Sequence, residues 1–528
     1  MLEQTPTPKR HLTAEDAEKL TPVHVVWETT LACDLKCQHC GSRAGHVRSR
    51  ELSTEECLDL VRQFARLGTR EITLIGGEAY LRKDWLKIIA EISSNGILCT
   101  MQSGGLNLTD DRLRQAADAG LGAVGVSIDG LRDLHDRLRG VKGSFDAAFR
   151  VLASGRRYGL TTSVNTQITS LVMRQLAELQ DLFIEAGASN WQIQLTVAMG
   201  RAADHPELLL QPYELLELMP LLAELYKKGL DRDFIMQPGN NIGYFGPYES
   251  LWRGTGDEQV HWGGCNAGQN TVGIEADGTI KGCPSLPTTA YSGGNIRDLT
   301  AEQIWNTSPE IAFTRNRTVD DLWGFCRSCY YADVCRAGCT WTTHTLFGRP
   351  GNNPFCHHRA LELAGRGLRE RIVRIQAAPG LPFDHGKFEL LVERIDDPIP
   401  REVTARPREY AASDIDARYS VSANSAIDAR AFRNDLVRLT SAAGRKQPGR
   451  EVEHSPLDTR ADRPGAEGGV ARHGQNLKLC RGCNQYITRG TRICPHCGGD
   501  VKSLRLAYNQ ELRRARRVEK RLAELMNI

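Results

Sequence analysis

Cys33-Asp34-Leu35-Lys36-Cys37-Gln38-His39-Cys40 sets three cysteines within eight residues, in the spacing C-x-x-x-C-x-x-C. The octapeptide lies in the loop after Val23–Trp27, an apolar run that reads as a strand. Downstream, Ser53-Thr54-Glu55-Glu56 offers a capping box. Cys57, Leu60, Val61 and Phe64 follow at helical spacing, and Gly68 stops the helix. Ile72–Ile75 is the next strand, and Trp85, Ile88, Ile89 and Ile92 mark the next helix. Ile97–Gln102, Ala123–Ile128, Thr162–Ile168 and Trp191–Val197 supply four more strands, with helical patterns between them. Repeated β/α units of about 30 residues predict an α/β fold with a parallel sheet and right-handed crossovers. The strand ends are polar or glycine-rich: Gly76-Gly77-Glu78, Ser103-Gly104-Gly105, Ser127 with Asp129-Gly130, Asn165 and Gln167, Gln192 and Gln194. Parallel β/α folds build their sites at C-terminal strand ends.

Composition narrows the class further. The 528 residues are 41% hydrophobic and 25% charged with a net charge of +3, which suits globular domains and gives no electrostatic reason for nucleic acid or an anionic membrane. No stretch approaches the ~20 apolar residues of a membrane span, and Met1 to Leu20 has no signal-peptide core. A cytoplasmic location is expected. The 16 cysteines are then expected to be metal ligands or catalytic thiols rather than disulfides. Only Cys57 and Cys99 stand apart from three groups, Cys33–Cys40, Cys265–Cys356 and Cys480–Cys497.

Three thiolates on one loop can hold three irons of a cubane and leave the fourth open to a small molecule. Tetrahedral zinc, recruiting His39 or His46, is the competing metal. Cys33, Cys37 and Cys40 at the mouth of β/α units, with Gly76-Gly77-Glu78 ending the second strand, resemble the radical S-adenosylmethionine (SAM) enzymes over residues 22 to 200. The resemblance implies a partial (β/α)6 TIM-like barrel and a [4Fe-4S] cluster whose open iron chelates SAM. It also implies that Gly76, Gly77 and Glu78 bind the SAM amino group. His39 departs from the aromatic residue common before the last cysteine. Ser127-Ile128-Asp129-Gly130, His135-Asp136 and Arg139-Gly140 resemble the peptide-modifying branch, which implies SAM contacts for Ser127 and Arg139; a surface salt bridge is the plainer reading of Arg139.

In the second group Cys265 and Cys283 bracket Gly278 as C-x12-G-x4-C, and Cys326-x2-Cys329-x5-Cys335-x3-Cys339 precedes Cys356. With Gly294-Asn295-Ile296-Arg297 and Ile304-Trp305, this order resembles the SPASM extension, which holds two auxiliary iron–sulfur clusters. The resemblance implies Cys326, Cys329, Cys335 and Cys356 for the outer cluster and Cys265, Cys283 and Cys339 for the inner one. The inner set is one thiolate short, so its fourth position is open or held by another ligand.

In the third group, Cys480-x2-Cys483 and Cys494-x2-Cys497 are two knuckles suited to a closed tetrahedral zinc site, and they resemble a zinc ribbon. A rubredoxin-like iron site is the alternative. The basic stretch Leu504–Leu525, interleaved with Leu506, Leu512, Val518, Leu522 and Leu525, reads as an amphipathic docking helix in preference to a nucleic-acid contact.

These readings divide the chain into an N-terminal extension (1–21), a barrel (22–230), an auxiliary-cluster domain (231–376), a largely disordered linker (377–477), a zinc-ribbon-like module (478–500) and a basic helix (501–528). Arg359–Gln376 is expected to be a basic helix, and the module is expected to hang on a flexible tether. The resemblance implies reductive cleavage of SAM to a 5′-deoxyadenosyl radical that takes hydrogen from a peptide or protein substrate. A reductant such as flavodoxin or ferredoxin is the expected partner. Alternatives are a haem-pathway enzyme acting on a tetrapyrrole, a sulfatase-maturating enzyme, and a non-catalytic iron–sulfur and zinc scaffold. Pro284, where the sulfatase-maturating pattern has a catalytic aspartate, weakens the second of these.

Overall fold

A computed structural model describes residues 9–10, 12–253, 261–399 and 477–526; most of the expected linker, 400–476, lies outside them. Strands β1 (His24–Thr30), β2 (Glu71–Gly76), β3 (Leu98–Ser103), β4 (Leu121–Ser127), β5 (Thr161–Ile168), β6 (Asn190–Leu195) and β7 (Ile235–Pro238) lie side by side in chain order, all parallel. On the other side of β1, β8 (Thr271–Ile274) pairs in parallel, and β9 (Thr279–Lys281) and β10 (Ser292–Asn295) continue the sheet antiparallel. The sheet therefore has ten strands with open edges at β7 and β10. The auxiliary-cluster segment is not a separate bead: its strands β8, β9 and β10 extend the barrel sheet through β1. The ion pair Arg297–Glu56 (2.6 Å) ties the two at the surface.

The helix Thr54–Arg66 starts as the sequence predicts. Ser53 Oγ accepts from the Glu56 amide (3.2 Å) and Glu56 Oε2 from the Ser53 amide (2.7 Å), a cap worth about 1 kcal/mol. Its buried face is Cys57, Leu60, Val61 and Phe64. The helix Trp85–Ser94 likewise buries Trp85, Ile88, Ile89 and Ile92. Each such side chain contributes about 1.5–3 kcal/mol through removal of apolar surface from water. At the N-terminal end of the barrel, Arg10 pairs with Glu71 (2.5 Å), and Glu71, Thr73, Thr100 and His24 form a polar plug. Burial pushes His24 down to about 3, so it sits there neutral.

Three expectations are corrected. The basic helix expected at Arg359–Gln376 is instead the tail of a short helix, His357–Ala364, and a strand β11 (Leu368–Gln376). Gly365 and Gly367 stop the helix, and Gly367 takes φ +71°, a left-handed conformation that glycine adopts without strain. The strand's charges are not solvated. Arg359–Glu370 (2.7 Å), Arg369–Glu393 (3.2 Å) and Arg371–Glu393 (3.0 Å) are buried pairs. The second correction follows, because Glu393 belongs to β12 (Lys387–Arg394), antiparallel to β11 and inside the stretch expected to be linker.

The third correction concerns the C-terminal module. A hairpin of β13 (Leu477–Leu479) and β14 (Tyr486–Thr488) leads to the helix Val501–Met526. The hairpin packs Leu477, Leu479 and Tyr486 against Tyr244, Phe245, Trp262 and Tyr331 of the auxiliary-cluster region. The Tyr331 hydroxyl donates to the Tyr486 carbonyl (2.6 Å), and Tyr330 hydrogen-bonds Thr488 Oγ1 (2.7 Å). The module is docked, not dangling. Leu506 and Leu512 of the final helix are exposed. Among the described residues no helix is long and apolar enough to cross a membrane.

Candidate functional site

The cysteine loop is held against the end of β2 by backbone hydrogen bonds and by the Tyr80 hydroxyl, which donates to Asp34 (2.8 Å). The Gly77 amide donates to the Thr30 carbonyl (2.8 Å) and the Glu78 amide to the Ala32 carbonyl (2.7 Å). A Cβ on Gly76 would lie 2.1 Å from the Thr30 oxygen, and one on Gly77 1.9 Å from the Ala32 oxygen. The glycine pair is therefore required because two backbones touch at this point. Glu78 is then fixed inside: its carboxylate accepts from Ser103 Oγ (2.6 Å) and the Gly104 amide (2.7 Å). Burial pushes it up to about 7 against the pull of those two donors. Cys33 and Asp34 offer ligand atoms within 4.8 Å of it.

Behind the loop lies a charge network with no counterpart in the sequence reading. Asp129, fully buried, accepts from His39 Nε2 (2.7 Å), the Gln167 amide (2.7 Å) and Arg139. Burial alone would raise its carboxyl, but the Arg139 charge and then His39 hold it well below the usual carboxylate range. Arg139, itself buried, also donates to Cys37 Sγ (3.6 Å), so it is no surface salt bridge. The Lys36 and Gln38 amides donate to the Arg139 and Leu138 carbonyls (3.0 and 2.8 Å). From the far side Arg201 donates to the carbonyls of Cys37 (2.6 Å) and Ala44 (3.1 Å). The loop is clamped on both flanks before any ligand arrives. Its sulfurs receive N–H donors: Leu35 to Cys33 and Ala44 to Cys40 (both 3.4 Å). Three sulfurs supplied with donors and an arginine suit a thiolate-bound cluster, since burial without such an ion pushes Cys37 up to about 11.

Cys33, Cys37, Cys40, Gly76, Gly77, Glu78 and Arg139 line one cavity of about 250 Å³, together with Gln102, Ser127, Gln167, Gln194, Met199, Pro284, Ser285, Trp341 and Phe383. Every strand end from β1 to β6 contributes to the floor or wall. Phe383 comes from the stretch expected to be linker, and its neighbour Asp384 pairs with Arg43 of the cysteine loop (2.7 Å). That segment thus builds the site rather than leaving it.

The sulfurs of the second group lie in two places. Cys326, Cys329, Cys335 and Cys356 line one apolar cavity with Tyr244, Phe245 and Tyr331. Burial raises all four thiols, Cys356 to about 12, and neighbouring sulfurs add to it at Cys329, Cys335 and Cys356. Amides of Asn353 and Tyr331 donate to Cys326 and Cys329 (both 3.4 Å), which suits thiolate ligands. Cys265, Cys283 and Cys339 lie near one another, with Cys283 pushed up to about 11 and Cys339 to about 12, by burial first and then by the neighbouring sulfurs. Ser285 and Thr342 approach Cys283 and Cys339 as hydrogen-bond partners. No cysteine completes this trio among the described residues. The third group converges fully. Cys480–Cys497 and Cys483–Cys494 sulfurs are 3.9 and 3.7 Å apart, near the ~3.8 Å edge of a tetrahedron with 2.3 Å metal–sulfur bonds.

Comparison with known proteins agrees with this geometry. Residues 27–182 match the Radical SAM superfamily, and residues 265–330 match SPASM, an iron-sulfur cluster-binding domain. The chain is similar to the AdoMet-dependent heme synthase of Oleidesulfovibrio alaskensis, at 28% identity over 63% of this chain and 87% of that one. It is also similar to mycofactocin maturase MftC of Mycolicibacterium smegmatis, at 28% identity over 60% and 78%. Among solved structures, Streptococcus suis SuiB bound to S-adenosylmethionine shares the fold with a TM-score of 0.51 and 18% identity, over 62% of this chain and 76% of that one.

Proposed function

From a chain that carries a radical SAM domain and a SPASM domain, and is therefore a radical SAM enzyme, we propose an oxidative modification of a peptide or protein side chain. In this reading Cys33, Cys37 and Cys40 hold the [4Fe-4S] cluster. When bound, the cluster supplies the electron that splits SAM into methionine and a 5′-deoxyadenosyl radical, which removes a hydrogen atom from the substrate. Glu78 receives the SAM ammonium, and its two donors from Ser103 and Gly104 fix the carboxylate's direction beforehand. Ser127 stands on the cavity wall to meet the rest of SAM. Arg139 steers Cys37 through its N–H to the sulfur and is kept charged by Asp129. The apolar side of the cavity, Met199, Trp341 and Phe383, keeps water and stray hydrogen donors from the radical. The seven cysteines of the second group would hold auxiliary clusters, which would supply an acceptor for an electron from the substrate radical, while a reductant such as flavodoxin or ferredoxin supplies the electron for SAM cleavage. The four cysteines of the module hold zinc.

The observation that carries the peptide reading is the polarity of the wall. Gln102, Gln167 and Gln194 present carboxamides, and Gln167 and Gln194 are paired neighbours across β5 and β6. Carboxamides match peptide amides in both donors and acceptors. The one cation among the described lining residues, Arg139, is already paired with Asp129. A tetrapyrrole with several carboxylates would meet no free positive charge there. The similarity to heme synthases keeps a second reading in the same experiment. Reconstituted enzyme is given SAM, a reductant and either short peptides encoded beside its gene or Fe-coproporphyrin III, and products are weighed by mass spectrometry. Loss of hydrogen mass from a peptide supports the proposal. Modification of the porphyrin alone overturns it.

A further inference from the structure

The junction between the C-terminal module and the auxiliary-cluster region holds a cluster of potential ligands outside the fourteen grouped cysteines. His358 and Glu362 lie one turn apart on the helix His357–Ala364, which puts both side chains on one face. His496, between Pro495 and Cys497 in the second knuckle, comes from the docked module. Ligand atoms of the three lie within 4.8 Å of one another. The His358 and His496 rings are 5.6 Å apart, centre to centre, and nearly perpendicular.

Two further observations point to an ion. His358 is only 4% exposed, and the Gln485 side chain, from the loop before β14, approaches its ring as a hydrogen-bond partner, which fixes the ring and leaves its other nitrogen for a ligand. The tautomer of His496 is also set. Tyr331 spends its hydroxyl proton on the Tyr486 carbonyl (2.6 Å), so its oxygen accepts from His496 Nε2–H (2.9 Å). That leaves the lone pair on His496 Nδ1. Holding the far nitrogen of an imidazole through a hydrogen bond is how proteins orient a ligating histidine. Glu362 has a weak competing pair, Arg366 at 3.7 Å.

We propose that His358, Glu362 and His496 form a second metal site, separate from the four cysteines, for a zinc-class divalent cation. Two imidazoles and a carboxylate are a donor set that such ions take, with one position left for water. Bonds of about 2.0–2.1 Å would draw the three ligands together by roughly an ångström. The site joins a helix that begins beside Cys356 to the knuckle that ends in Cys497. Its ion therefore clamps the module over the outer auxiliary-cluster cavity.

The test counts metal on the full-length, cluster-loaded enzyme after mild chelation, with Co2+ as the probe. The first equivalent should show sulfur-to-cobalt charge-transfer absorption from the four cysteines. The site requires a second equivalent that adds no such band. In Glu362→Gln, which lies away from the knuckles, and in His496→Gln, uptake should fall from two equivalents to one with the thiolate band intact. A wild-type enzyme that stops at one equivalent, or variants that still take two, would overturn the assignment.

Discussion

Replacing Tyr331 by Phe tests whether the C-terminal module is docked or tethered. The ring is buried and stacks on Phe245 at 4.1 Å, so removing only the hydroxyl leaves the packing in place. What is lost is the donor to the Tyr486 carbonyl and the acceptor for His496. A buried polar group left without its partner costs about 1–3 kcal/mol, so the two together should weaken the junction by about 2–6 kcal/mol. At 1.4 kcal/mol per decade the lower figure is about 30-fold more frequent opening. The reporter is the Thr488 amide, which donates across the junction to the Tyr330 hydroxyl (2.9 Å). Its hydrogen exchange, measured on the whole enzyme, should accelerate by that factor if it exchanges through junction opening. The four-cysteine site and SAM cleavage should be unchanged. Exchange within about threefold of wild type would refute the docking energetics and return the module to a tether.

Other perturbations follow from the same contacts. Gly77→Ala forces a Cβ against the Ala32 carbonyl, so the end of β2 must leave the cysteine loop. A cost of about 1–3 kcal/mol and loss of 5′-deoxyadenosine formation are expected, read by thermal melting and chromatography. Glu393→Ala removes the partner of both Arg369 and Arg371 in β11 and should destabilise the fold by about 3–5 kcal/mol in denaturant titration. Arg297, through its hydrogen bonds, depresses Glu56 to about 2, so the stability from this pair is complete above the unfolded value near 4.5 and fades as pH falls toward 2. The melting-temperature gap between wild type and Arg297→Ala, set by about 1 kcal/mol at neutral pH, should therefore narrow progressively below about pH 4.5.

Much of the site is legible in the sequence because its chemistry is local. Cys33, Cys37 and Cys40 share one loop, and Gly76-Gly77-Glu78 is one strand end. The β/α period survives because each helix buries a single regular face, as Cys57, Leu60, Val61 and Phe64 do. What escapes is built from residues far apart. Asp129 meets His39 across 90 positions, and nothing at either position marks the partner. Arg201 clamps the cysteine loop from beyond β6, where it reads as one more surface arginine. The strand β11 was hidden by its own charges: Arg369, Glu370 and Arg371 suggest a solvated face, yet all three are buried in ion pairs with residues of a helix and of β12. Gly365 and Gly367 were the available stop signal. Docking of the module likewise rests on Tyr331 and Tyr486, aromatic residues that no spacing rule connects.

The central claim is that Cys33, Cys37 and Cys40 form the SAM-cleaving centre and that the other cysteine groups do not. Anaerobic enzyme in which these three residues are replaced together by Ala is incubated with SAM and a strong reductant, and released 5′-deoxyadenosine is quantified beside iron content. No 5′-deoxyadenosine is expected, with iron and cluster absorbance from Cys265–Cys356 retained. Release of 5′-deoxyadenosine by the triple variant at the wild-type rate would contradict it.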